Sequence, residues 1–218
     1  MGSPSRIPTA RSGATVHPPS LILASASSGR LRLLRQAGFD PTVIVSCVDE
    51  SAVTTTDPAA LVTELAYAKA EAVAAAVTHG LVVGADSVLE LHGRALGKPT
   101  DIEDARERWA DQAGSEGRLW TGQAVLLVVN GSVQASDVDA TVATIRFGQP
   151  DEAELEAYLR SGEPLNVAGA FTTDGLGGQF VDSIDGNTGT VIGLSLPLLR
   201  AQAARLGVRL TDLWCARS

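Results

Sequence analysis

Two segments of the sequence bring together side chains that can grip a phosphate or a cation. The first is Ser25 to Arg30 (SASSGR), lying between a short apolar run and a helical pattern. A helix N-terminus offers free backbone N–H groups and the positive end of a dipole, which together favour an anion. Ser25, Ser27 and Ser28 would add hydroxyl donors, Gly29 would let the backbone approach closely, and the Arg30 fork matches phosphate oxygens. Taken alone, such serines read more plainly as helix caps. The second segment is Asp86, read as the end of a strand LVVGAD, beside Ser87 and twelve residues before Lys98 in LGKP. A carboxylate at the C-terminal end of a strand faces the crevice where α/β sheets bind ligands, and it can hold Mg²⁺ or activate water. Asp49 and Glu50, after a second apolar run, would bring a further carboxylate to the same edge. Each acidic residue alone reads as a turn cap or a solvated charge, and Lys69 as a surface charge on an Ala-rich helix. Their joint arrangement argues for a site: carboxylates for a cation and basic groups for an anion, at corresponding ends of successive elements.

Lysine usage sharpens this reading. Fifteen of the 17 basic residues are Arg, and only Lys69 and Lys98 are Lys. An ammonium is a compact point charge and a guanidinium a broad fork, so a tight phosphate site can require Lys. Two lysines are equally consistent with chance under an Arg-rich coding bias.

The elements that must position these groups follow from periodicity and punctuation. Residues 1–19, rich in Ser, Pro, Gly and Thr, read as a flexible tail, and residues 20–218 as one domain. LILAS reads as a buried strand, RLRLLRQAG as a helix, and residues 41–48 (PTVIVSCV) as a second strand. A long helix opens at N-cap Asp57 with Pro58 at its first position and is expected to end at Gly80. LVVGAD and VLEL read as strands about Asp86, followed by a turn at His92-Gly93 and a helix in DIEDARERWADQAG. Residues 119–129 and 133–147 form a hairpin through Asn130-Gly131, and two further helices lie in PDEAELEAYLRSG and LSLPLLRAQAARLG. This order implies an α/β domain around a mixed sheet.

Composition bounds the function. The 218-residue chain has 44% apolar and 19% charged residues, enough to bury a core and exclude bulk disorder. No stretch reaches the roughly 18 apolar residues of a membrane span, and the opening lacks a signal-peptide h-region, so a soluble cytoplasmic protein is expected. A net charge of −8 opposes broad attraction to nucleic-acid or membrane phosphate, while leaving room for a small anion in a local basic pocket. Cys47 and Cys215 suggest neither a disulfide framework nor zinc.

The motifs ASASSGRLRLLRQAG, CVDE, ELAYAKAEAV, VVGADSVLEL, LGKP followed by DARE, and TGQAVL resemble the Maf family of nucleotide pyrophosphatases. SGEPLNVAGAF, GLGGQFVDSIDG and VIGLSLPLL extend the resemblance, which runs from about Leu21 to about Leu206. It implies an elongated mixed sheet flanked by helices, like that of the inosine triphosphate pyrophosphatases, with a central cleft. It also implies hydrolysis of nucleoside triphosphates, with ordinary or modified bases, to the monophosphate and pyrophosphate. A divalent cation (Mg²⁺, Mn²⁺ or Co²⁺), a homodimer and a link to septum formation are further implications. By the same resemblance Ser25, Ser27 and Arg30 are phosphate-loop residues. Lys69 and Lys98 contact phosphate, Glu50 is a catalytic or metal-binding carboxylate, and Asp86 is the proton acceptor and a metal ligand.

The chain departs from the family pattern at three places associated with base choice. Ser28 and Gly29 replace the Pro and first Arg of SxSPRR, Ser87 replaces a Thr, and Asp174 replaces the Gln of pyrimidine-selective members. A carboxylate at 174 accepts hydrogen bonds only, which favours bases presenting donors over uracil and thymine. Two other readings compete: a nucleotide-binding regulator of septum formation with negligible turnover, and a phosphomonoesterase. The set of acidic positions argues against the first, and the lack of a covalent nucleophile motif against the second.

Overall fold

A computed structural model describes residues 19–215. The tail expected over residues 1–19 lies outside them apart from Pro19, as do residues 216–218. Apolar Leu21–Leu23 forms β1, which is buried throughout. Helix α1 (Ser28–Gln36) begins where the Ser27 side chain accepts from the Arg30 N–H. Strand β2 (Thr42–Val43) precedes α2 (Pro58–Ala74), capped by Asp57 with Pro58 in its first turn. Strands β3 (Gly80–Leu91) and β4 (Arg94–Leu96) lead to α3 (Ile102–Gln112), and β5 (Glu116–Val129) and β6 (Ser132–Phe147) lead to α4 (Glu152–Arg160). A capping box between Asp151 and Glu154 starts α4. Strand β7 (Val181–Asp185), the short α5 (Thr188–Ile192) and α6 (Leu196–Arg205) complete the regular structure.

One seven-stranded sheet runs in the order β2-β1-β3-β5-β6-β7, with β4 paired to β3. The β1 pairings to β2 and β3 are parallel, and the other pairings are antiparallel. This is the mixed α/β sheet expected from the element order. Asn130 and Gly131 both have positive φ (54° and 73°), as do His92 and Gly93 (50° and 75°), the condition for type I′ turns, at the two places where a hairpin and a turn are expected.

Strand alternation splits the core between the two faces. Ile22, Val82, Ala124 and Leu126 pack against Ala66, Ala70 and Val73 of α2. Leu21, Leu23, Leu81, Val83 and Val125 pack on the other side against Leu34 of α1 and Leu199 and Ala203 of α6. A third cluster centres on fully buried Trp109, which meets Phe147, Tyr158 and Phe180 edge-on and whose Nε1–H donates to the Ala170 carbonyl at 2.9 Å. It anchors the glycine-rich segment before β7.

Three element expectations are corrected. The strand read over 41–48 is ladder-paired at Thr42 and Val43, with one further bond from the Ile44 N–H to the Leu23 carbonyl, because its partner β1 ends at Leu23. Helix α2 stops at Ala74, six residues before Gly80, and Gly80 instead opens β3, where a Cβ would collide with the Ile22 side chain. The two strands read about Asp86 are one continuous strand, so Asp86 lies within β3 rather than at its end. It nonetheless borders a strand end, because β1 pairs only as far as Val83.

Two glycines beside Asp86 serve helix packing. A Cβ on Gly84 would collide with the Ala66 carbonyl of α2, and one on Gly122 with the Val62 carbonyl. Because Gly122 is the cross-strand partner of Asp86, the two glycines form a slot into which the α2 backbone settles. Gly84→Ala is expected to cost about 1–3 kcal/mol by overpacking, read as a lower urea midpoint with an unchanged slope.

Candidate active site

The close seating of α2 carries Lys69 to the sheet. Lys69 follows Ala66 by one helical turn on the buried face, so its side chain lies over β3. Its Nζ donates to Asp86 Oδ1 at 2.6 Å and pairs with Glu50 Oε1 at 2.7 Å. The lysine and aspartate side chains are 11% and 16% exposed and that of Glu50 is 59% exposed, so the bracket has an inner and an outer carboxylate. Glu50 sits in a single 3₁₀ turn (Glu50–Ala52) capped by Asp49, whose carboxylate accepts from the Ser51 N–H and hydroxyl. Those bonds hold the Asp49 carboxyl below its ordinary pKa. Of the adjacent acidic pair, Asp49 therefore builds the turn and Glu50 reaches the lysine.

Arg30 is fixed from three directions. Its Nε–H donates to the Gly193 carbonyl at 2.7 Å, one terminal nitrogen to Ser25 Oγ at 3.0 Å and the other to Ser87 Oγ at 3.1 Å. A guanidinium has five N–H groups, so one remains on each terminal nitrogen, the spacing that suits two oxygens of one phosphate. Burial pushes the Arg30 pKa below its ordinary value, while the Asp86 and Glu50 charges act to raise it. Ser25 also accepts from the Ser27 N–H at 3.2 Å, which ties the loop to the first turn of α1. Ser25, Ser27, Arg30, Glu50, Lys69, Asp86 and Ser87 are thus joined by α1, α2, the Glu50 turn and β3.

Asp86 and Glu50 are the carboxylates here that could contribute to holding a cation, both engaged by Lys69, and among the described residues no group of three or more His, Cys, Asp or Glu is placed to hold a metal ion. Mg²⁺ commonly keeps several waters and is held by one or two carboxylates together with substrate phosphates.

A family model described as Maf-like protein matches residues 20–206. The chain belongs to the Maf-like protein family. Two relatives carry the name nucleoside triphosphate pyrophosphatase. One, from Streptomyces coelicolor, is 55% identical over 197 residues, covering 89% of this chain and 94% of its own length. The other, from Nocardia farcinica, is 51% identical over 204 residues, covering 89% and 96%. Positions that the sequence grouped with the Maf-like site divide on inspection. Lys98 lies on the loop between β4 and α3 with its side chain exposed; only its carbonyl is engaged, by Arg108. Gly29 sits in the first turn of α1, where an added Cβ would make ordinary contact with Ile192, so space alone does not demand glycine.

Asp174, expected to offer an acceptor-only carboxylate to the base, is ion-paired with Arg32, on the same helix as Arg30. The pair joins the glycine-rich segment of this Maf-like chain to α1.

Sequence reasoning missed several supporting groups. Thr121, Thr141 and Thr190 link Ser87 to α5, and Gln123 and Gln202 join the sheet to α6 at 2.7 Å. Threonine within a strand carries no distinguishing signal. Glu163 accepts from the Thr172 hydroxyl at 2.6 Å and from the Leu176 and Gly177 N–H groups at 3.0 Å. It thereby shapes the segment carrying Asp174; the signal available was an acidic residue in a Gly-Glu-Pro turn. Burial works to raise its pKa, and the hydrogen bonds outweigh burial, leaving it below 4.5. This contribution to stability is fully present above the unfolded value near 4.5 and is lost as pH falls through the depressed folded value. Glu163→Gln is expected to accelerate amide exchange at Leu176 and Gly177 by about tenfold or more, since bonds to a charged acceptor contribute about 1.5–3 kcal/mol.

Proposed function

We propose that this Maf-like protein hydrolyses nucleoside triphosphates, with ordinary or modified bases, to the monophosphate and pyrophosphate. The observation that carries the reading is Lys69, held between Asp86 and Glu50 at 2.6 and 2.7 Å beside an arginine fixed over the loop before α1. Lys69 uses two of its three N–H groups on carboxylates and keeps one for a phosphate oxygen. Arg30 presents its two remaining N–H groups to the same triphosphate, and Ser25 and Ser27 shape the loop beneath it. Lys98, exposed and unpaired among the described residues, adds charge for the leaving pyrophosphate. Asp86, the inner carboxylate, orients and deprotonates the water that attacks the α-phosphorus, and Glu50 supports it from the outer side. Asp86 and Glu50 would hold a divalent cation (Mg²⁺, Mn²⁺ or Co²⁺), which supplies charge neutralisation on phosphate oxygens and a more acidic water. Basic groups fixed before the substrate arrives stabilise transition-state charge without reorganising.

A cytoplasmic homodimer belongs to this reading. Val138 and Val142, exposed and two turns of the pleat apart on one face of β6, provide apolar surface for a second copy. No helix among the described residues is long and apolar enough to cross a membrane. The acidic charge balance favours a small nucleotide over nucleic acid as partner.

The test is a triphosphate panel with Mg²⁺, with pyrophosphate and orthophosphate assayed separately. Pyrophosphate released in equal amount to monophosphate supports the reading. Orthophosphate as the first product, or binding of every nucleotide without turnover, overturns it.

A further inference from the structure

Behind Arg30 lies a chain of hydroxyls whose direction is fixed by the chemistry at its two ends. Thr121 Oγ1 is 2.7 Å from the Thr190 carbonyl, which can only accept, so the single hydroxyl proton of Thr121 points there. The 2.8 Å contact between Ser87 Oγ and Thr121 Oγ1 must then use the Ser87 proton. That leaves Ser87 lone pairs toward Arg30, and a guanidinium can only donate. Protons therefore run one way, from Arg30 through Ser87 and Thr121 to Thr190. Thr121 and Thr190 are fully buried, so no solvent competes for these bonds.

We propose that Thr121 is a positioning residue for triphosphate binding: by taking the Ser87 proton it makes Ser87 an acceptor for Arg30, which holds the phosphate fork in place. The proposal rests on Arg30 binding phosphate, as argued above, and reassigns Ser87. A hydroxyl with its proton spent on Thr121 and its lone pair on Arg30 supports phosphate binding and does not read the base. Replacing Thr121 by Val preserves shape but leaves the Ser87 proton without its acceptor, so the hydroxyl rotor, and with it the lone pair that meets Arg30, is no longer fixed.

The experiment measures the Kd of α,β-methylene analogues of dTTP, dCTP and dGTP, and kcat and KM for the corresponding triphosphates. The proteins are wild type, Thr121→Val, Thr121→Ser, Ser87→Ala and the double variant Thr121→Val with Ser87→Ala. Thr121→Val is expected to raise Kd and KM about tenfold with kcat changed less than about threefold, and Thr121→Ser to restore both. In the Ser87→Ala background Thr121→Val should add less than about twofold, because the path is already broken. Multiplying effects in the double variant, or failure of Thr121→Ser to restore binding, would overturn the proposal. Should Thr121→Val not fold, Ser87→Ala decides alone: a loss equal for the three bases supports the proposal, and no loss or a base-dependent one refutes it. The Kd arm is independent of hydrolysis, so an absence of pyrophosphate release counts against the proposed activity and leaves this inference to be judged on binding.

Discussion

Asp86→Asn keeps the fold and lowers kcat by about 10²–10³-fold at saturating Mg²⁺, the scale of removing one preorganised electrostatic group, about 3–4 kcal/mol. Asparagine matches aspartate in shape, and position 86 lies mid-strand in β3, opposite Gly122 of β5, so its backbone pairing is untouched. What disappears is the charge facing Lys69 at 2.6 Å, and with it the base for water. Steady-state kinetics with a thermal-unfolding control checks both halves. A kcat within about threefold of wild type removes Asp86 from the proton-acceptor role.

Lys69→Met loses at least as much. It leaves Asp86 and Glu50 facing each other without the cation between them, and like charges at such range oppose joint ionisation. Lys69→Arg is expected to restore little, with kcat/KM still down by more than about tenfold, because a planar fork does not fit where one nitrogen meets two carboxylates from different elements. The steric argument raised for both lysines applies here and lapses at Lys98, whose exposed side chain has room for a guanidinium. Lys98→Arg should therefore retain kcat/KM within about threefold, and parallel kinetics on the two Arg variants distinguishes a confined ammonium from generic charge.

These two groups also show how far a sequence can be read. Asp86, Lys69, Glu50 and the Ser25–Arg30 loop were visible because each is a polar residue placed against an apolar pattern. The long α2, the paired hairpins and the mixed sheet were visible from caps and Asn-Gly punctuation. The continuity of β3 was hidden, because Gly84, Asp86 and Ser87 carry turn propensity and only the seating of α2 explains the glycine. The Arg32–Asp174 ion pair joins residues 142 positions apart, beyond any local signal. Thr121 and Thr190 looked like ordinary residues of buried elements, and their role depends on which atom sits opposite which.

Neighbouring residues of a strand point to opposite faces, and β3 uses this to divide the site. Asp86 faces α2 and Lys69, while Ser87 faces Thr121 and the α5 side and supports Arg30 from there. The charge centre and the phosphate grip are thus separated by a single peptide unit. Inserting one residue between Gly80 and Asp86 would turn the carboxylate to the Arg30 side and bring Ala85 opposite Lys69, with every downstream side chain of the strand turned over. Mutational tolerance should therefore be lopsided: length changes at the Asn130-Gly131 turn are absorbed by a loop, whereas a one-residue change in β3 inverts the active centre at once.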